Sequence, residues 1–436
     1  MKLTFFGAAG EVGRSCIMLE SKGTKILLDA GVKLGSTEEY PLIEDDELND
    51  VDAIVVTHAH LDHSGYLGHI FSSGWNGQVY STKPTYELIN VLINDYIKIS
   101  KPKNLTAEGI KRMQKHFSLV EYHKNFTIKG LKLRLVPAGH ILGSAAVHID
   151  DGFEKLLYTG DINFRKTRLL DAANMEHIEA NTLITESTYG GNSDIFPTER
   201  SISGMMLKSI SETIKQGGKI VIPSFAVGRA QEVLFMLDDY MRSGLLEKVP
   251  IYMDGMINKA MRIHRHNVIY CREELQNRIL MNEDDPFKSP NFQEVKSKQQ
   301  RYRIAKDSGA AIIVTTSGML TGGPVVRYLE LLGKDPANKI ILVGYQAEGT
   351  AGRDLIENKR TITIANKKLS IEMGVEYYHL SAHADRQQLM KFISQLKDLR
   401  NVLIVHGERR KSEELKEALR QKFNATVPML KSEFTV

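Results

Sequence analysis

The sequence predicts an α/β protein in which a mainly antiparallel β scaffold is interrupted by a parallel, doubly wound unit and then resumed. Three observations carry that prediction. Short β-type runs separated by glycine-rich turns fill roughly the first 160 residues. Strands then alternate with helices from about residue 191 onward, and near residue 371 a strand and helix pattern returns.

Taken in order, KLTFFG, SCIMLES and KILLDAG are joined by GAAGEVG and KGT, which suggests a β-meander rather than a βα unit. DAIVVT (52–57) is almost continuously apolar, as a strand buried on both faces would be. Residues 84–99 show helical periodicity opened by Pro84, a helix-start residue. Further strands are expected at 131–136, 145–150 and 154–159. After Gly190, helices at 199–216, 228–242 and 255–267 alternate with KIVIP (219–223), VPIYMD (249–254), AAIIVTT (310–316) and KIILVGY (339–345). Such alternation predicts a parallel sheet covered on both faces. A strand near 371, a helix at 385–396, NVLIVHG (401–407) and a last helix follow. An interrupted and resumed scaffold reads as an inserted domain, with segments 1–190, 191–365 and 366–436. No internal repeat or low-complexity tract is present.

Composition narrows the class. The 436 residues carry 57 Lys plus Arg against 53 Asp plus Glu, with 42% hydrophobic and 25% charged residues, so a disordered chain is excluded. No apolar run approaches the roughly 18 residues of a membrane helix, and Glu11 stops the N-terminus before it could serve as a signal-peptide core. The two cysteines, Cys16 and Cys271, cannot make a disulfide framework or a cysteine zinc site, which makes a reducing cytoplasm the expected location. Charge is uneven: residues 38–50 hold seven acids and no base, and residues 98–115 hold six bases and one acid. Each run has a plain reading as a solvated face; the basic one has a second, as a surface that steers a polyanion.

The strongest chemical signal is Thr57-His58-Ala59-His60-Leu61-Asp62-His63, directly after the buried strand. On an extended chain His58 and His60 point to one side and can share one cation. Asp62 and His63, at what reads as a helix start, can turn toward a second. Imidazole with carboxylate is a zinc-type ligand set. His140 in PAGHILGS, Asp161 in LLYTGDINF and His406 in NVLIVHG stand at strand ends and are candidates to complete two sites.

Together with Asp29 at the end of KILLDAG, these residues resemble the metallo-β-lactamase superfamily. The resemblance implies a four-layer αββα domain in which His58, His60 and His140 bind one zinc. Asp62, His63 and His406 would bind a second, with Asp161 bridging and Asp29 orienting a ligand histidine. A hydroxide held between two zinc ions would be the nucleophile.

The 245 positions between Asp161 and His406 hold further motifs: ITESTYG, VIPSFAVGRAQE, TTSGML, GYQAEGTAGR and LSAHAD, followed by VHGE. With these, nearly the whole chain resembles the β-CASP nucleases. It is similar to the nuclease subunit of the cleavage and polyadenylation specificity factor and its prokaryotic homologues without KH domains. The resemblance implies a zinc-dependent endoribonuclease acting on single-stranded RNA, with two Zn2+ per chain (manganese as the alternative). His383 would be the general acid, and Glu186 would hold and charge its imidazole. Asp62 would serve catalysis as well as ligation, and a histidine at 406 points to RNA. Ser317, Gly318, Ser381 and Arg353 are candidate RNA contacts, because glycine-rich turns and an arginine suit phosphates. No N-terminal RNA-binding extension and no C-terminal assembly domain are expected. A homodimer and a larger RNA-processing complex are expected partners. The competing functions are a 5′→3′ exonuclease like ribonuclease J, a catalytically inactive partner subunit and a small-molecule hydrolase.

Overall fold

Lys2–Phe5, Ile17–Ser21 and Thr24–Leu28 pair antiparallel in sequence order, the meander that their short linkers dictate. Ala53–Val55, Gln78–Ser81 and Phe117–Leu119 then add in parallel on one side, and Glu433–Thr435 caps the other edge beside Lys2–Phe5. A second seven-stranded sheet runs Asn424–Thr426, Asn401–Val405, Thr182–Glu186, Lys155–Tyr158, Ala145–Asp150, Leu131–Pro137, Asn125–Ile128. The two sheets share one apolar core: Leu3, Phe5, Ile17, Leu19 and Ile26 from the first meet Leu133, Leu135, Val147, Leu156 and Leu403 from the second. Alternation along each strand sends the other residues outward. Leu157, Leu183, Val402 and Ile404 therefore pack on Leu389, Phe392 and Ile393 of helix Arg386–Gln395 and on Leu415 and Leu419 of helix Arg409–Leu419. Helices Leu67–Ser72, Lys83–Ser100 and Ala107–Lys115 lie on the first sheet's side, giving the expected four layers. The computed structural model describes residues 1–35, 38–281, 284–364 and 366–436.

This sandwich is one of two compact units, built from Met1–Lys166, Leu170–Ile195 and His383–Val436. The other comprises Thr167–Leu169 and Phe196–Ala382. It holds a wholly parallel six-stranded sheet in the order Phe292–Glu294, Ile251–Asp254, Ala311–Thr315, Lys219–Pro223, Lys339–Val343, Gly374–Tyr378. Thr361–Ile364 and Lys367–Ser370 pair antiparallel as a separate two-stranded sheet. Inside this unit the buried Asp254 accepts two hydrogen bonds from Arg301, at 2.6 and 2.8 Å, and one from the Tyr328 hydroxyl at 2.9 Å.

One boundary needs correction. The return to the first unit, expected at 366, comes at His383, because Gly374–Tyr378 pairs with Lys339–Val343 and so belongs to the parallel sheet. Half-buried throughout, Gly374–Tyr378 has a pattern that does not reveal which sheet it joins. Residue 365, the last of the expected insertion, lies outside the described residues. No described helix is long and apolar enough to cross a membrane, and Cys16 and Cys271 are free and buried.

Candidate metal centre

Every candidate ligand and Glu186 stand at or just beyond the C-terminal end of a strand of the first unit, or in the loop that follows. Ala53–Val55 leads into His58 and His60, and the single helical turn Leu61–Ser64 presents Asp62 and His63. His140 follows Leu131–Pro137, Asp161 follows Lys155–Tyr158, Glu186 ends Thr182–Glu186, and His406 follows Asn401–Val405. Parallel neighbours on the sheets bring these ends to one edge, which is why ligands distant in sequence meet. The loop geometry admits little change. A Cβ on Gly31 would stand 1.7 Å from the Asp62 carbonyl, and one on Gly160, whose φ is +53°, would stand 2.7 Å from the Thr57 hydroxyl. Asp29 and His406 themselves adopt left-handed backbone, φ 64° and 48°, a conformation uncommon for non-glycine residues.

Two sets of donor atoms converge on Asp161. His58, His60 and His140 form the first with it, and His63 and His406 the second, each with donor atoms within 4.8 Å of one another. Asp161 Oδ2 lies 3.5 Å from His58 Nε2 and 3.6 Å from His140 Nε2; its Oδ1 lies 3.3 Å from His63 Nε2. The His60 and His140 ring nitrogens are 3.1 Å apart, and Asp62 Oδ2 is 3.3 Å from His406 Nε2. His58 Nε2 is buried with no hydrogen-bond partner among the described residues. A buried acceptor of that kind, facing a carboxylate and further imidazoles, fits a divalent cation.

The ring nitrogens that face away from the cluster fix the protonation. Asp29 is fully buried and accepts from the Thr57 amide at 2.7 Å, the Thr57 hydroxyl at 2.9 Å, the Tyr158 hydroxyl at 2.8 Å and His63 Nδ1 at 2.7 Å. With its hydroxyl hydrogen committed to Asp29, Thr57 can only accept from His58 Nδ1, 3.1 Å away. His58 is thereby left with an Nε2 lone pair aimed inward, whereas the Asp161 and Asp29 carboxylates outweigh burial and hold the His63 imidazole well above its usual range, so that without a cation His63 carries protons on both nitrogens. Burial holds the His58 and His60 imidazoles below their usual range, hence neutral, the form that binds cations. Burial alone would raise the Asp161 carboxyl, yet the His406, His63 and His383 imidazoles hold it well below the ordinary carboxylate range.

Beside the cluster, His383 Nδ1 lies 2.8 and 3.0 Å from the two oxygens of the buried Glu186 and 4.0 Å from Asp161 Oδ2. Glu186 is anchored in turn by the Ile162 amide at 2.8 Å, and the Ala384 amide donates to the Ile162 carbonyl. Burial would lower the His383 pKa, but Glu186 first and Asp161 next raise it to about 9. The structure therefore gathers Asp29, His58, His60, Asp62, His63, His140, Asp161, Glu186, His383 and His406 in one place.

The four candidate RNA contacts all lie in the second unit. Ser317 accepts the Thr321 amide at 2.9 Å, and Arg353 pairs with Glu357 at 2.8 Å. Their loops adjoin: the Gly352 amide donates to the Met319 carbonyl and Gln346 Nε2 to the Gly318 carbonyl. Sequence reasoning missed Tyr158 and Thr57 as the partners of Asp29, and Thr188, whose hydroxyl lies 3.4 Å from His406 Nδ1. A tyrosine within the buried run LLYTGD was the available signal, since a buried phenol requires an acceptor.

Family comparison agrees with this architecture. The metallo-beta-lactamase superfamily domain matches residues 18–188, the Beta-Casp domain 230–355, and the Zn-dependent metallo-hydrolase RNA specificity domain 368–429. The chain belongs to the β-CASP family of the metallo-β-lactamase superfamily, whose members are typically hydrolytic nucleases. Among its relatives is the transcription termination factor FttA of Methanocaldococcus jannaschii, 39% identical over 98% of this chain and 70% of the relative. The same factor from Methanothermobacter thermautotrophicus is 37% identical over 95% of this chain and 68% of its own length, and that of Lokiarchaeum sp. 35% over 97% and 69%. A solved structure, a protein of unknown function from Enterococcus faecalis V583, aligns over 100% of this chain and 99% of its own with a TM-score of 0.59. At 13% identity that likeness shows the fold alone.

Proposed function

We propose that this protein is a zinc-dependent ribonuclease that hydrolyses phosphodiester bonds of single-stranded RNA as an endonuclease. The observation that carries the reading is the junction at Asp161 of two buried donor sets with a charged His383–Glu186 pair beside them. His58, His60 and His140 would hold one zinc, and Asp62, His63 and His406 the other, with Asp161 shared. Bound there, the two cations supply positive charge for phosphoryl oxygens and acidify water. Asp29 fixes His63 through Nδ1, and through Thr57 also His58, so that a bound cation would meet Nε2 of each, displacing the proton from His63. Glu186 binds His383 through Nδ1, which leaves Nε2–H as the proton available to the departing ribose oxygen.

An RNA substrate is supported by the RNA specificity domain at 368–429 and by the relatives' name, which makes nascent transcripts the candidate RNA. Mapping the products from 5′-triphosphate, 5′-monophosphate and circular RNA of one sequence tests the reading. We expect internal cuts, including in the circle, leaving 5′-phosphate and 3′-hydroxyl ends. Cutting only from free 5′ ends would assign exonuclease activity instead; intact RNA with two zinc ions bound would refute the function. The site roles of Ser317, Gly318, Ser381 and Arg353, a homodimer and a larger RNA-processing assembly belong to the same proposal. A monomer mass in dilute solution scattering would remove the dimer.

A further inference from the structure

Helices Lys83–Ser100 and Ala107–Lys115 lie antiparallel, the Tyr86 hydroxyl at the start of one bonding the Gln114 carbonyl near the end of the other at 3.3 Å. Along this hairpin Lys98, Lys101, Lys103, Lys111 and Lys115 are exposed, and none of their ammonium groups makes an ion pair or hydrogen bond among the described residues. The sixth base, Arg112, is committed to the Phe71 carbonyl at 2.6 Å. Helix Arg409–Leu419 is similarly rich in bases and shows the opposite arrangement. Arg409 pairs with Glu413, Arg410 with Glu414, Lys411 with Asp194, Lys416 with Glu413, and Arg420 beyond its end with Glu417. Basic density is neutralised in that helix and left open in the hairpin.

The hairpin is also braced to the metal centre. The Thr106 amide donates to Ser72 at 3.0 Å, and Leu105 and Ile110 pack against Gly68. Their helix, Leu67–Ser72, begins three residues after Leu61–Ser64, which carries Asp62 and His63. On the other side Tyr96 donates to Glu38 at 2.9 Å, as does Tyr40, whose ring packs on Tyr66.

We propose that the exposed lysines of this hairpin dock the phosphates of single-stranded RNA outside the catalytic centre, independently of sequence. The identity of the polyanion rests on the ribonuclease reading. On phosphates, lysines act as point charges and carry no sequence information. A protein interface depletes lysine and needs an apolar centre, and a membrane anchor needs several bulky apolar groups. Ile99 is the one large hydrophobic exposed within 98–115.

The test uses the metal-free chain, fluorescein-labelled oligouridylate and anisotropy across a potassium chloride series. Replacing all five lysines with glutamine should weaken binding at least tenfold at low salt. It should also shrink the log–log salt slope by roughly 2 to 3.5, at about 0.7 per lost phosphate contact. A Lys→Arg quintuple should keep the slope, which separates charge from fold. Replacing Lys416 and Arg420 with glutamine should leave the slope unchanged. An unaltered slope in the Lys→Gln quintuple overturns the proposal. So does a lysine-dependent affinity for polyglutamate or phosphatidylserine vesicles with RNA binding intact. Because binding is read without metal or turnover, a lysine-dependent slope in a chain that never cuts RNA would sink the ribonuclease reading and leave this surface standing.

Discussion

Replacing Glu186 with glutamine keeps a hydrogen-bond acceptor beside His383 and removes one charge. The wild-type pair places Nδ1 at 2.8 and 3.0 Å from the carboxylate oxygens. With the charge centres about 4 Å apart and an effective dielectric near 20, the attraction is worth about 4 kcal/mol. That corresponds to roughly two to three pKa units once some screening is allowed. The sign is fixed by the raised value: His383, at about 9, carries its proton below that pH and loses it as pH rises through it. A general acid must be protonated, so wild-type turnover should fall on an alkaline limb near that value. In Glu186→Gln the limb should move down by roughly two to three pH units. Activity at pH 6 should be little changed, while activity at pH 8 should drop by one to two orders of magnitude. The assay is kcat against pH on a single-stranded oligoribonucleotide at saturating metal, with zinc content measured on the same samples. A parallel loss at every pH, an alkaline limb that stays in place, or zinc lost with the charge would refute the reasoning.

Three further outcomes follow from the same geometry. His383→Ala should lose roughly 10²- to 10⁴-fold in turnover while keeping its metal, read by kinetics and elemental analysis; zinc lost with the side chain would make His383 a ligand. Tyr158→Phe removes one of four hydrogen bonds to Asp29 and should weaken metal binding by roughly tenfold or more, measured by competition with a chelating dye, with about 1–3 kcal/mol lost in the metal-free protein. Unchanged affinity would show that Asp29 needs no help in holding His63. Asp254→Ala leaves the Arg301 guanidinium and the Tyr328 hydroxyl unpartnered and should cost about 3–5 kcal/mol by urea unfolding, without changing metal affinity.

Much of the site was legible because its chemistry is local or strand-end. His58, His60, Asp62 and His63 sit within six positions, and Asp161, Glu186 and His406 each follow an apolar run whose end could be read. The hydrogen bonds that orient them were not, since Tyr158 and Asp29 stand on different sheets and meet only through tertiary packing. The same limit explains the boundary at 383: Gly374–Tyr378 is half-buried throughout, so its periodicity names no sheet. Short edge strands such as Phe117–Leu119 and Glu433–Thr435 are three residues long, too few for a period to show. The acid run at 38–50 found an ordinary explanation. Asp45, Asp46 and Glu47 fill the first turn of helix Asp45–Asn49, where its dipole favours them, and Glu39 pairs with Lys33 and Arg14.

The first unit is stitched from chain segments on either side of the parallel one, and that has a consequence during synthesis. Asp161 leaves the ribosome 245 residues ahead of His406. At translation speeds of about 5–20 residues per second, roughly 12 to 50 seconds separate the two. Through that interval the nascent chain lacks the strand Asn401–Val405 that lies one strand in from the edge of its second sheet, between Thr182–Glu186 and Asn424–Thr426. The His383–Glu186 pair cannot close before residue 383 emerges, nor the donor set containing His406 before the strand Asn401–Val405 does. A polypeptide released before residue 383 would carry His58, His60 and His140 without His383 and His406, so the order of the segments alone delays assembly of the full donor cluster.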